Sequence, residues 1–103
     1  RTMSEPGLAY SPELVDWFHK MEIPSFGTDT VASEQTMHPE SGTMIPLHAA
    51  LLRNLGVVFN EIDWLYDLAE DCAKDGQYTF LFVGAPLKVV AGAGSPVNPA
   101  VIK

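Results

Sequence analysis

The 103-residue sequence has one cysteine, Cys72, which excludes an internal disulfide and a cysteine-rich zinc site. Basic side chains are also scarce. Six Lys+Arg stand against thirteen Asp+Glu, for a formal net charge of −7 at pH 7. With no basic cluster, nucleic acid and anionic membrane surfaces are poor partners, because both are bound through positive patches. No run of about 18 apolar residues occurs, so no transmembrane helix is expected. The start lacks the charged and apolar regions of a signal peptide. Repeats, low-complexity tracts and linkers are missing too. The length therefore fits one domain with a modest core. Charged residues make up only 18% of the chain, which suggests that part of its surface is covered by something else. Arg1 and Thr2 precede the first methionine, so the sequence reads as a piece of something longer. A cytoplasmic location is the default for a chain with one thiol. Cys72, four residues after Leu68, reads as a small buried hydrophobe.

What is present organises around PLHAALLRNLGVVFNE, residues 46–61. Pro46 suits the first turn of a helix. Leu47, Leu51 and Leu52 give it an apolar face, and Gly56 is a natural stop. Val57 to Phe59 reads as a short buried strand, ending in Asn60-Glu61. A helix followed directly by a strand can bring His48, near the helix start, close to Glu61, just past the strand. An imidazole and a carboxylate are common ligands of a divalent metal and a usual acid/base couple. The same pair also reads as a partly exposed His and a solvated Glu.

On the N-terminal side, Ser11-Pro12-Glu13 carries the chemistry of a helix start, with Leu14, Val15, Phe18 and Met21 as its apolar face. His19 is expected to be exposed. Ile23 to Phe26 reads as a buried strand closed by Gly27 to Thr30. Residues 31–45 have no sustained period and form a long loop of the kind that covers a site or an interface. His38 and Glu40, in that loop, match no metal spacing. On the C-terminal side a third helix is expected over about Asp63 to Lys74, capped by Asp63 and left through Asp75-Gly76. Ile62, Leu65, Leu68 and Ala69 would be its apolar face, and Asp67, Glu70, Asp71 and Asp75 its solvated face. Phe80 to Val83 is a continuous apolar run, as in a strand buried on both faces. Leu87 to Val90 reads as another strand, and Val97 to Ile102 as a last one, at an edge because of Pro99. The small residues of AGAGSP, 91–96, are not followed by a helix, so no phosphate loop is expected.

Four segments in order resemble the cyclase, or kynurenine formamidase-like, family of metal-dependent hydrolases. They are Ser11 to Ser33, with its Gly-x-Asp-x-x-x-Ser loop; His48-x-x-Leu-Leu; Glu61; and Phe80 to Ile102, with Gly-Ser-Pro-Val-Asn-Pro. Together they cover nearly the whole chain. Asn98 stands where the family usually has Arg. The family's His-x-Gly-Thr-His-x-Asp-x-Pro-x-His motif is absent, and it normally lies N-terminal to the part matched here.

The resemblance implies an α/β fold: part of a swivelling β/β/α hydrolase domain, with a mixed sheet and three helices. Residues 1–103 would be a single domain or the C-terminal half of one. It implies a divalent metal, zinc or manganese, that activates water to attack an amide, lactam or lactone bond in a small cyclic or aryl substrate. His48 would be a metal ligand or an acid/base residue, and Glu61 the matching ligand or proton carrier. Asp29 and Ser33 would support the site; the residues themselves allow equally a turn in which Asp29 caps local N–H groups. The first metal motif would come from an upstream segment or a partner chain, in a homo- or hetero-oligomer. A different class of function stays open: a non-catalytic small-molecule-binding or interaction module derived from this family.

Overall fold

Ser11 accepts a hydrogen bond from the Leu14 N–H at 3.1 Å, and Pro12 and Glu13 fill the first turn of α1, Pro12–Lys20. These are the contacts expected of a hydroxyl cap followed by proline and an acid. The computed structural model describes residues 6–103. They fall into two compact units, one running to Trp64 and the other from Leu65 to Lys103. Three helices, one parallel strand pair and one antiparallel pair make up the expected α/β fold.

In the first unit, α1 leads to β1, Ser25–Gly27, which pairs in parallel with β2, Val58–Asn60, in the register Ser25↔Val58 to Gly27↔Asn60. Between them lie the long loop and a π-helix, His48–Leu55, entered through helical Pro46 and Leu47. Gly56 ends that helix in the left-handed region (φ 74°), donating its N–H to the Leu51 carbonyl, as its sequence position implied. The helix is wound more loosely than the α-helix the spacing suggested; such windings recur at functional sites.

Phe18, Leu47, Leu51 and Val57 form the core, with Tyr10, Leu14, Val15, Ile23, Phe26 and Phe59 packed against it. Burying each of the four contributes about 1.5–3 kcal/mol. Leu52 and Met21, expected on buried faces, are exposed. Aromatic rings run outward from this core in edge-to-face contacts: Phe18 to Phe26 with ring centroids 5.4 Å apart, then Phe26 to Phe59 at 4.5 Å.

In the second unit, α2 spans Tyr66–Asp75 and exits through Gly76 (φ 68°). It begins three residues later than the sequence suggested. Asp63 is not its cap: its backbone N–H bonds to the Thr28 carbonyl, and Ile62, with φ 59°, lies outside the helix. Cys72 is buried, as expected, whereas Ala69 is exposed. Two members of the acidic face are not simply solvated. Asp71 and Asp75 hold the Lys103 ammonium at 2.7 and 2.8 Å.

β3, Leu81–Val83, pairs antiparallel with β4, Ala100–Ile102, which starts directly after Pro99. Two further expectations fail here. Phe80 to Val83 is exposed rather than buried on both faces; among the described residues β3 has a single partner strand. Leu87 to Val90 is not a strand. The Leu87 N–H goes to the Ser95 hydroxyl at 2.8 Å, the Val89 N–H goes to the Leu87 carbonyl, and Ala91 turns left-handed at φ 58°. Among the described residues no helix is long and apolar enough to cross a membrane.

The Lys103 hydrogen bond, and after it the Gln77 backbone N–H, hold the Asp75 carboxyl below its ordinary value of 3.8. The Asp71 and Asp75 carboxylates hold Lys103 above the usual lysine range. A depressed carboxyl contributes stability that is present above its unfolded value and lost as pH falls through its folded value. The Asp75 contact of Lys103, the residue after β4, therefore holds at neutral pH and is lost only as the pH falls below 3.8. Carbon-13 titration of Asp75 is expected to give a midpoint below 3.8, returning toward it in Lys103→Met. Equal midpoints in the two proteins would contradict this.

Candidate active site

The π-helix has no side-chain cap of its own, and Ile45-Pro46-Leu47 offers no oxygen that could serve. Glu34, from the long loop, supplies it. One carboxylate oxygen accepts the Leu47 N–H at 2.7 Å, and the other accepts the His48 N–H at 2.9 Å. A buried anion at a helix N-terminus satisfies N–H groups that have no partner within the helix, and it is favoured there by the helix dipole. Glu34 is 4% exposed, and its second oxygen also lies 2.7 Å from His48 Nδ1.

The opposite ring nitrogen, His48 Nε2, lies 3.3 Å from Glu61 Oε1. The pair expected from the helix–strand spacing therefore converges. Phe59 sets its ring edge-to-face on His48 at 4.7 Å, so the aromatic series from the core ends against the imidazole. Glu61 Oε1 is buried and has no hydrogen-bond partner. Its contact with Nε2 is one of distance, without hydrogen-bond alignment.

Three left-handed residues border the site. Ser33 (φ 57°) precedes Glu34, Ile45 (φ 38°) precedes the helix that carries His48, and Ile62 (φ 59°) follows Glu61. For β-branched isoleucine this conformation is a true outlier, costing on the order of 1–3 kcal/mol. Backbone bonds pin each one: Leu8 N–H to the Ser33 carbonyl, Ile45 N–H to that of Thr36, and Ile62 N–H to that of Thr30. Strain of this kind collects where a structure must aim particular side chains.

Ser33, proposed as a support, is buried with its hydroxyl 2.7 Å from that of Thr28, so it braces the loop that presents Glu34. Asp29 is exposed in the same loop. Nearby, burial pushes the Asp63 carboxyl above its ordinary value, with an oxygen 2.8 Å from where a Cβ on Gly27 would stand. His38 remains in the loop, bonded to the Ser41 hydroxyl at 3.0 Å and set against Tyr10. Sequence reasoning missed Glu34. The available signal was a helix start without a capping side chain, which needs an oxygen from elsewhere.

Two ligands of one divalent cation, each about 2.0–2.2 Å from it, stand roughly 3 Å apart. The 3.3 Å between His48 Nε2 and Glu61 Oε1, with the oxygen buried and unpartnered, fits that span. Two atoms are an incomplete set. Among the described residues no group of three or more His, Cys, Asp or Glu side chains is arranged to hold a metal ion.

The arrangement is thus a His–carboxylate pair on an α/β frame, placed by a buried glutamate. No protein-family model and no curated protein matches the chain. Among solved structures, the chain is similar to one described as a novel cyclase: 38% identical, with a TM-score of 0.78. The match covers 92% of this chain and 30% of that one. Over nearly its whole length this chain carries the cyclase-family fold, and it spans under a third of that neighbour's length.

A Cβ added to Gly7 would stand 2.6–2.9 Å from the backbone of Glu34, beside which Leu8 forms a bridge. Gly7→Ala is expected to push Glu34 off the helix start and to destabilise the first unit by about 1–3 kcal/mol. Urea unfolding measures the loss, and unchanged stability would show that Glu34 tolerates displacement.

Proposed function

We propose that this chain is the C-terminal part of a metal-dependent hydrolase that opens an amide, lactam or lactone bond in a small cyclic or aryl substrate. The observation that carries the reading is the 3.3 Å approach of His48 Nε2 to Glu61 Oε1, an oxygen buried without another partner. The likeness to a cyclase supports the same reading, as does the resemblance of the sequence segments around His48 and Glu61 to kynurenine formamidase-like enzymes. Glu61 would supply an anionic ligand atom to zinc or manganese. A bound cation polarises a carbonyl and brings the pKa of its water to near 7.

His48 is anchored through Nδ1 and presents Nε2 to the reaction. With Nε2 on the cation beside Glu61, His48 would be its second ligand; with Glu61 alone holding the cation, Nε2 is free to take the proton of the attacking water and return it to the departing nitrogen or oxygen, the usual work of a positioned imidazole. Phe59 limits water on one side of the ring and fixes its plane. Ser33 holds the loop behind Glu34. A single, unpaired cysteine fits a reducing, cytoplasmic setting.

The remaining ligands come from a segment carrying the His-rich motif, upstream in the same protein or on a partner chain, within an oligomer. Two features support such a partner. The match reaches only 30% of the cyclase neighbour. Phe80, Leu81, Phe82 and Val83 are also all exposed, an apolar strip that soluble proteins normally cover.

In the complete protein, His48→Ala is expected to lower turnover of a lactam or aryl-amide substrate by about 10²–10⁴-fold while the protein stays folded. Steady-state kinetics with circular dichroism as the folding control measures it. Normal turnover would remove His48 from the mechanism.

A further inference from the structure

We infer that Glu34 is a positioning residue that sets the tautomer of His48: it keeps the ring proton on Nδ1 and so leaves Nε2 with its lone pair toward Glu61. The inference rests on the hydrolase reading for its consequence in catalysis, but its geometry stands alone. Both oxygens of Glu34 accept backbone N–H groups, from Leu47 at 2.7 Å and His48 at 2.9 Å. A carboxylate engaged this way is an acceptor, so the partner it meets at 2.7 Å, His48 Nδ1, is the donor. In a neutral imidazole one nitrogen donates and the other accepts, so Nε2 is then the acceptor.

In that neutral form Nε2 faces Glu61 Oε1, itself an acceptor with no hydrogen-bond donor, at 3.3 Å. Two facing acceptors repel unless a proton or a cation lies between them. Without Glu34 the ring is free to place its proton on Nε2 and satisfy Glu61 directly, which would close the site to an incoming proton or cation. The positioning is rigid because the carboxylate that orients the ring also starts the helix that carries it. Moving Glu34 would require unwinding the first turn of the π-helix and shifting Ser33, which is pinned by Leu8 and Thr28. A partner on the far nitrogen that fixes the reactive one is a recurring device in histidine sites.

The test is two-bond proton–nitrogen correlation NMR of this chain labelled at histidine, at mildly alkaline pH. The wild-type His48 ring is expected to show a protonated Nδ1 and a pyridine-type Nε2. Glu34→Gln, whose amide oxygen can take over the Nδ1 bond, is expected to keep that pattern, and Glu34→Leu to lose it. In the complete protein Glu34→Leu is expected to lower kcat about 10–100-fold with KM little changed. A wild-type ring protonated on Nε2 would overturn the assignment, and that reading needs no variant to fold. An Nδ1–H ring in a complete protein that hydrolyses none of these bonds would support Glu34's role and sink the hydrolase reading.

Discussion

The buried carboxylate of Glu34 does three jobs that a surface residue could not combine. It accepts the Leu47 N–H and the His48 N–H, which the Ile45 carbonyl shares at 3.1 Å, it meets the His48 ring at Nδ1, and it ties the long loop to the helix start. Each N–H bond contributes only about 0.5–1.5 kcal/mol net, but leaving buried donors unpaired costs more. Removing Glu34 would therefore strip the cap and the imidazole anchor together. The rest of the first unit is arranged so that this carboxylate can sit where it does.

That arrangement is visible in the backbone. Ser33, Ile45 and Ile62 hold left-handed conformations next to Glu34, the π-helix and Glu61, each pinned by a hydrogen bond to or from a neighbouring segment. Gly7 lies so close to the Glu34 backbone that a side chain there would collide with it. The parallel pairing of β1 with β2 sets Glu61 directly after Asn60 at the end of the register. The edge-to-face series Phe18, Phe26, Phe59 and His48 then links the hydrophobic core to the imidazole. Packing, strain and hydrogen bonding all act on one small angle, the direction in which Nε2 points.

Local chemistry made much of this legible in the sequence. Ser11-Pro12-Glu13, Gly56 and Gly76 mark helix ends through cap hydroxyls and φ > 0, and they do so in the structure. The approach of His48 to Glu61 followed from a helix running straight into a strand. Glu34 was not legible, because its partners lie 13 and 14 residues further on and only tertiary folding joins them. The second unit was read less well. An apolar run such as Phe80 to Val83 carries no information about whether a layer covers it, and here all four residues are exposed. Leu87 to Val90 has strand-forming side chains, but the Ser95 hydroxyl and the left-handed turn at Ala91 claim its backbone instead.

The account rests on His48 and Glu61 acting as a single unit. A double-mutant cycle on kcat/KM in the complete protein measures this directly, with His48→Ala, Glu61→Ala and the two combined. Residues that work as a unit lose their whole contribution when either is removed. The account expects the double variant to be no slower than the slower single variant. Losses that multiply would mean that the two side chains, 3.3 Å apart, serve separate ends.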